Sequence, residues 1–394
     1  MKCKLAWTHL DFKPGGYAPC YRFKLHGGHK FGGVPEMPDV NSPEWIRVRE
    51  QLKNDEWPKE CIDCKMQEES GMRSYRQRSL DMLISEPDYT KTTIQVKDLQ
   101  LKLNRACNYS CRHCSVASNS NFIKIGKQNP GIAKSLSENY RFDHIVEPKN
   151  DNKIDIPTPE VIDYLFENIL PTVERIEFSG GEPFYHVEMY RFLERMINDP
   201  NIDTSKITLM YNTNMSLTKF KNYDICELWK PFKRAHITVS MDGTTDLFNY
   251  FREGGDYNTV INNIHHMLSR TDKVDRLLLV CTTTAYHAFY MDKIDYELGL
   301  LKKELEQKYK IEVKYRPTFV HWPEGLDVVN LAEDTKKDLL ETTNDTEFTK
   351  EFKLRLKGKR TIPTETFKDI VMLQDQLYNR DASKLAPKIF DYVY

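Results

Sequence analysis

The sequence predicts an α/β protein built on a parallel sheet. Two observations carry that expectation. Between residues 91 and 325, short apolar-alternating runs recur with helix-like stretches between them, and polar residues gather where those runs end. Strand–helix alternation favours parallel pairing, because each crossover must return the chain to the same edge of the sheet. A cysteine-rich unit over 1–90 precedes this region, and a mostly helical extension over 326–394 follows it.

The predicted strands are 99–104, 175–179, 207–212, 235–240, 276–282 and 311–319. Helices are expected between them, for example over 159–169, 189–197, 217–229 and 259–269. In the first unit, helices are expected over 45–53 and 65–83, with Pro43 and Pro58 as punctuation. Arg73, Arg76 and Arg78 fall on the second, either as a solvated basic face or as contacts to a substrate or cluster. The glycine-rich turns around Cys20 (13–17, 26–29 and 31–33) would let backbone amides approach a sulfur cluster or an anion. The stretch 115–157 is rich in Asn and Ser and reads as a long loop, a candidate flap over substrate. The basic run 352–360 reads as a solvated face.

Bulk properties exclude several classes. At 394 residues the chain has room for two or more domains. Lys plus Arg number 57 and Asp plus Glu 58, so a general nucleic-acid binder, which needs a basic excess, is not expected. The hydrophobic content of 40% and mean hydropathy of −0.62 suit a soluble globular protein. No apolar run reaches the roughly eighteen residues that a membrane span needs, and the start, Met1-Lys-Cys-Lys-Leu-Ala-Trp, lacks the apolar core of a signal peptide. Of nine cysteines, seven lie in the first 114 residues. That clustering is unlike a secreted disulfide framework and points to metal-bound thiolates in a reducing cytoplasm.

The densest chemistry is Cys107-Asn-Tyr-Ser-Cys111-Arg-His-Cys114, at the end of the first central strand. Three thiolates on one polar loop form a soft-metal site, suited to an iron–sulfur cluster or to zinc. Three ligands leave one metal position open for chemistry, although His113 offers itself as a further zinc ligand. Cys3, Cys20 and the pair Cys61 and Cys64 offer a second possible thiolate set, for which a cluster and structural zinc both stand. Cys226 and Cys281 sit in apolar surroundings and read as core packing.

The cysteine motif is followed 65 residues later by Ser179-Gly180-Gly181-Glu182-Pro183, then by Asn214, Ser240-Met-Asp242-Gly and Arg252. Together these resemble the radical SAM superfamily over about residues 97–325. The resemblance implies a partial (β/α)6 TIM-like barrel in which Cys107, Cys111 and Cys114 bind a [4Fe–4S] cluster. S-adenosylmethionine would chelate the fourth iron. One electron, from an external donor such as flavodoxin or ferredoxin, would cleave it to methionine and a 5′-deoxyadenosyl radical. That radical would take hydrogen from a peptide or small-molecule substrate.

On this resemblance Gly180 and Gly181 approach the methionine moiety, Glu182 accepts from its amino group, and Arg252 suits its carboxylate. Ser179, Asn214, Ser240 and Asp242 are short polar groups for the cofactor. His113 takes the place of an aromatic residue beside the adenine. The N-terminal unit is similar to SPASM/twitch modules, though it precedes the barrel here, and this implies an auxiliary iron–sulfur cluster on Cys3, Cys20, Cys61 and Cys64. The competing readings are a zinc-stabilised binding protein and a non-catalytic iron–sulfur electron carrier.

Overall fold

The computed structural model describes residues 1–13, 16–23, 37–69, 71, 73–115, 118–140, 157–320 and 322–394. The glycine-rich turns expected over 26–29 and 31–33, and residues 141–156 of the expected flap, lie outside the described residues.

The strands are β1 (His9–Lys13), β2 (Gly16–Ala18), β3 (Asp98–Leu101), β4 (Arg175–Phe178), β5 (Thr208–Thr213), β6 (Lys219–Phe220), β7 (Tyr223–Asp224), β8 (Arg234–Ser240), β9 (Arg276–Thr283) and β10 (Glu312–Phe319). Eight of them form one sheet in the order β10-β9-β8-β5-β4-β3-β1-β2. Every neighbouring pair in it is parallel except the β1–β2 hairpin. All six predicted strands are present, with ends displaced by at most a few residues.

The sheet's two faces differ chemically. On one face Ile176, Phe178, Leu209, Tyr211, Ala235, Ile237, Val239, Leu277, Leu279 and Cys281 are all buried. Crossover helices supply matching apolar stripes: Tyr190 and Leu193 from Val187–Asn198, Val260 and Ile264 from Tyr257–Arg270, and Ile294 and Leu298 from Met291–Tyr309. Each such side chain contributes about 1.5–3 kcal/mol on burial. Cys226 and Cys281 both lie in this core, 1% and 0% exposed. The alternate residues Glu177, Asn212, Thr238, Ser240 and Thr282 are only half-buried, so the other face is polar and open. Period-two alternation separates an apolar packing face from a polar working face.

The structure departs from the sequence expectations in four places. First, β1 adds a further parallel strand against β3, so the cysteine-rich unit shares the central sheet. His9-Leu-Asp-Phe-Lys is short, but Leu10 and Phe12 are buried, and pairing covers the open edge of β3. Second, the helix expected over 65–83 is two helices, Ile62–Glu69 and Tyr75–Ser79, which leaves Arg73 off both. Ser74 and Gln77 form a capping box that starts the second helix afresh. Third, 217–229 holds the β6–β7 hairpin and only a short helix, Ile225–Leu228. Asp224 caps that helix by accepting from Cys226 N at 3.0 Å. Fourth, the expected long loop 115–157 contains two helices, Asn121–Gln128 and Pro130–Tyr140, which bury Phe122, Ala133 and Leu136.

The C-terminal segment is helical as expected. Within its basic run, Lys353 pairs with Asp345 and Arg355 with Asp327, while Phe352 and Leu356 are buried. It is an amphipathic helix with a charged outer face. Among the described residues no helix is long and apolar enough to cross a membrane.

One ion-pair network ties β1, β3 and β4 together. Asp98 is fully buried and accepts from Arg175 Nε at 2.6 Å and Nη2 at 2.7 Å, with His9 Nδ1 at 2.7 Å. Burial alone would raise its pKa, but His9 and Arg175 outweigh burial and hold it well below the usual carboxylate range. A depressed carboxyl stabilises the fold above its unfolded pKa of about 3.9, and this contribution is lost as pH falls through the folded value. Arg175→Met is expected to cost about 3–5 kcal/mol by stranding the buried carboxylate. Urea unfolding at pH 7 and pH 3 checks this: the deficit against wild type should shrink at the lower pH, and an equal deficit at both would contradict it.

Candidate active site

The cysteine loop follows β3 without regular secondary structure. Its backbone groups therefore take partners from distant segments. The turn after β4 donates from Gly181 N to Asn104 O (3.4 Å) and from Glu182 N to Ala106 O (2.8 Å). The segment after the loop donates from Ser120 N to Arg105 O (2.9 Å), from Asn121 Nδ2 to Cys107 O (2.7 Å) and from Asn119 Nδ2 to Tyr109 O (2.6 Å). The loop donates in turn from Ser110 N to Glu253 O (2.8 Å) and from Arg112 N to Phe251 O (3.1 Å).

This bracing brings the predicted residues to one cavity of about 300 Å³ at the C-terminal ends of the parallel strands. Cys107, Cys111, Cys114, His113, Ser179, Gly180, Gly181, Glu182, Asn214, Ser240 and Arg252 line it. Asp242 does not, and stands behind the wall. Gln100 and Lys102, which the sequence reading did not single out, also line the cavity, as do Asn212 and Thr282, which fall among the polar residues at the strand ends. Period-two alternation places Gln100 and Lys102 on one face of the chain at β3, a signal available in the sequence; Asn212 lies in register with Thr238, which only the strand pairing shows.

Burial is the main influence on the thiols. It pushes Cys107 up to about 12 and Cys114 up to about 11, and raises Cys111 further, with Arg252 opposing in part. The thiolate form is therefore disfavoured at each. Three such donors on one polar cavity fit a soft metal or an iron–sulfur cluster.

Several side chains hold the frame. Glu182 is 1% exposed, and its carboxylate accepts from Asn214 N (2.6 Å), Thr213 Oγ1 (2.7 Å) and Phe184 N (3.0 Å). Burial still pushes its pKa up to about 7. It thus ties the turn after β4 to the end of β5, a role that its position in Gly-Gly-Glu-Pro did not reveal. Asp242 accepts from Thr282 N (2.6 Å) and pairs with Arg252 Nε (2.8 Å), with His113 Nδ1 3.8 Å away. Arg252 Nη1 in turn lies 3.6 Å from Cys111 Sγ. Asn214 Nδ2 donates to Asn108 Oδ1 at 3.0 Å and lies 3.9 Å from Cys107 Sγ.

Cys3, Cys20, Cys61 and Cys64 also converge, around a second, small cavity of about 30 Å³ with Leu5, Val48, Leu52 and Arg76. Burial raises all four thiols, Cys3 to about 11, and the charges of Cys3 and Cys64 bear on Cys20 and Cys61. Cys3 precedes β1 and Cys20 follows its antiparallel partner β2, so this cavity lies toward the opposite, N-terminal edge of the sheet. Among the described residues no three His, Cys, Asp or Glu side chains are drawn together tightly enough to hold a single metal ion; the thiols surround cavities instead.

The two glycines explain how the loop and the turn after β4 fit together. A Cβ on Gly180 would meet Asn104 O at 2.7 Å, and one on Gly181 would meet Ala106 O at 2.0 Å. Their closest approach is thus to the cysteine loop itself. Gly181→Ala is expected to cost about 1–3 kcal/mol or more through this backbone clash. Gly131→Ala, whose Cβ meets nothing within 4 Å, is the control. Equal urea midpoints for the two variants would contradict the packing described.

No curated protein matches the chain in sequence. Residues 101–285 match the family model described as the Radical SAM superfamily, a stretch that runs from the last residue of β3 past β9 and contains the residues lining the larger cavity except Gln100.

Proposed function

We propose that the protein is a radical S-adenosylmethionine enzyme. One observation carries the reading: the three thiols of C-x3-C-x2-C open onto the same cavity as the Gly-Gly-Glu-Pro turn and the polar ends of β5, β8 and β9. Active sites of parallel α/β barrels lie at that edge of the sheet. Cys107, Cys111 and Cys114 would hold a [4Fe–4S] cluster with one open iron. S-adenosylmethionine would lie against Ser179–Gly181, Asn214 and Ser240. When both are bound, they supply reductive cleavage of the sulfonium and a 5′-deoxyadenosyl radical for hydrogen abstraction.

The protein's own groups then have separable tasks. Arg252, fixed by Asp242, places positive charge beside Cys111 and suits the carboxylate of the cofactor. His113 stands at the cavity wall beside Asp242, where its ring is available to stack on a base. Glu182 has three donors inside the protein, so its contribution is to hold the strand ends in register. Gln100, Lys102, Asn212 and Thr282 make the cavity wall polar, which favours a polar substrate such as a peptide segment or a hydrophilic small molecule. The four N-terminal thiols would saturate an auxiliary cluster. At the sheet's opposite edge, that cluster suits electron transfer from an external donor better than contact with substrate.

Anaerobic reconstitution with iron and sulfide is expected to give a brown protein that converts S-adenosylmethionine and dithionite to 5′-deoxyadenosine. Cys111→Ala should abolish that product. A Cys61→Ala/Cys64→Ala double variant should lose part of the iron while the remaining cluster still responds to S-adenosylmethionine. A colourless wild type carrying zinc, or a brown one that leaves S-adenosylmethionine intact, would overturn the assignment.

A further inference from the structure

Arg73, Arg76 and Arg78 follow the Cys61 and Cys64 pair closely, and their surroundings differ. Arg73 pairs with Asp81 at 2.6 Å, and Arg76 holds Glu68 through Nε at 2.9 Å and Nη2 at 2.6 Å. Arg78 is exposed, and its guanidinium lies 5.5 Å over the ring of Tyr75. A second exposed guanidinium, that of Arg22, lies 4.5 Å over the same ring and donates from Nη2 to the Tyr75 hydroxyl at 2.8 Å. Among the described residues neither Arg22 nor Arg78 forms an ion pair, although the charge of Asp63 reaches Arg22 from further away. Tyr21, 42% exposed, stands edge-on to Tyr75 at 5.3 Å and to the buried His9 at 6.2 Å.

This group touches the four-thiol cavity directly. Arg22 lines that cavity beside Cys20, and its backbone N–H donates to Cys20 Sγ at 3.3 Å. Cys20 and Cys61 are themselves only half-buried. Two cations stacked on one tyrosine beside these sulfurs give the surface a chemical preference. Arg and Tyr are the residues that protein interfaces favour, since each covers a large area with few torsions to freeze. A cation without a local counter-charge attracts an anionic partner and speeds its arrival. A purely structural guanidinium is more simply paired with a carboxylate, as those of Arg73 and Arg76 are.

We propose that Arg22, Arg78, Tyr21 and Tyr75 form the docking surface for an acidic, one-electron carrier protein that delivers its electron to the four-thiol site. The proposal rests on the reading that Cys3, Cys20, Cys61 and Cys64 hold an iron–sulfur cluster. One electron leaves the reduced carrier and enters that cluster. The carrier is oxidised by one electron, the cluster is reduced by one, and no bond in this chain forms or breaks. Electron-transfer complexes are small and short-lived, steered by charge rather than held by a large buried area. A compact patch of two arginines and two tyrosines beside the acceptor is suited to such an encounter.

The test follows reduction of the full-length reconstituted protein by anaerobic stopped flow, with reduced flavodoxin as the acidic carrier and dithionite as the small reductant. An Arg22→Gln/Arg78→Gln double variant is expected to keep its iron and its rate with dithionite. Its second-order rate with flavodoxin should fall on the order of tenfold at low ionic strength, and the deficit should close as salt is raised. Arg78 does not line the cavity, so Arg78→Glu alone gives the same readout without touching cluster assembly. Arg195→Gln/Arg270→Gln removes two charges from the helices Val187–Asn198 and Tyr257–Arg270 and should keep the wild-type rate. Wild-type flavodoxin rates in the Arg22 and Arg78 variants, or an equal fall in the Arg195 and Arg270 control, would overturn the docking surface while the cluster reading stands. Uptake of zinc in place of iron by the four N-terminal thiols would overturn both.

Discussion

The structure depends on one constraint: the cysteine loop must satisfy its backbone without forming a helix or strand. Three thiols on a regular helix or strand would be spread along its axis or over its faces. An irregular loop gathers them, but each of its buried amides and carbonyls then needs a partner elsewhere. Here those partners come from the turn after β4, the segment at Asn119–Asn121, the stretch Phe251–Glu253 and Gln374 of the C-terminal helix Glu365–Tyr378. The loop is accordingly braced from four distant parts of the chain. Gly180 and Gly181 are required by that bracing, since a side chain at either would collide with loop carbonyls.

Electrostatics follows from the same burial. Enclosing Cys107, Cys111 and Cys114 raises their thiols, so burial disfavours the thiolate at each. Arg252 offsets part of this penalty at Cys111, and Asp242 keeps Arg252 in place. Arg112 puts a second buried guanidinium within the cysteine motif, balanced by Asp375. Two buried guanidiniums thus lie within or beside the cysteine motif. The polar, half-open face of the sheet lies beside it, while the apolar face is closed by helices.

Much of this was legible in the sequence because periodicity reports burial. Most of the six central strands alternate apolar and polar residues, β9 carries a continuous apolar run over 277–281, and each was found nearly at its observed limits. β1 was missed because the five residues of this hairpin arm give too short a period to register. The two helices after Ser120 were missed because Asn and Ser mimic a loop, while the apolar contacts of Phe122, Ala133 and Leu136 decide the outcome. For the site, residue identity was legible and role was not. Nothing local shows that the Glu182 carboxylate takes donors from Thr213 and Asn214, or that Asp242 stands behind Arg252. Those partners are set by tertiary neighbours that no local pattern encodes. The contribution of the C-terminal helix was invisible for the same reason.

The two thiol groups lie toward opposite edges of one sheet, which suits different tasks for them. The three-thiol loop faces the polar cavity, whereas the four N-terminal thiols enclose a small, largely apolar one. The central claim is that the three-thiol loop holds a cluster with one open iron for S-adenosylmethionine. Mössbauer spectroscopy of the reconstituted Cys61→Ala/Cys64→Ala variant, with and without S-adenosylmethionine, tests it most directly. The account predicts that the cofactor changes the signal of a single iron site. An iron spectrum that does not change on adding the cofactor would contradict it.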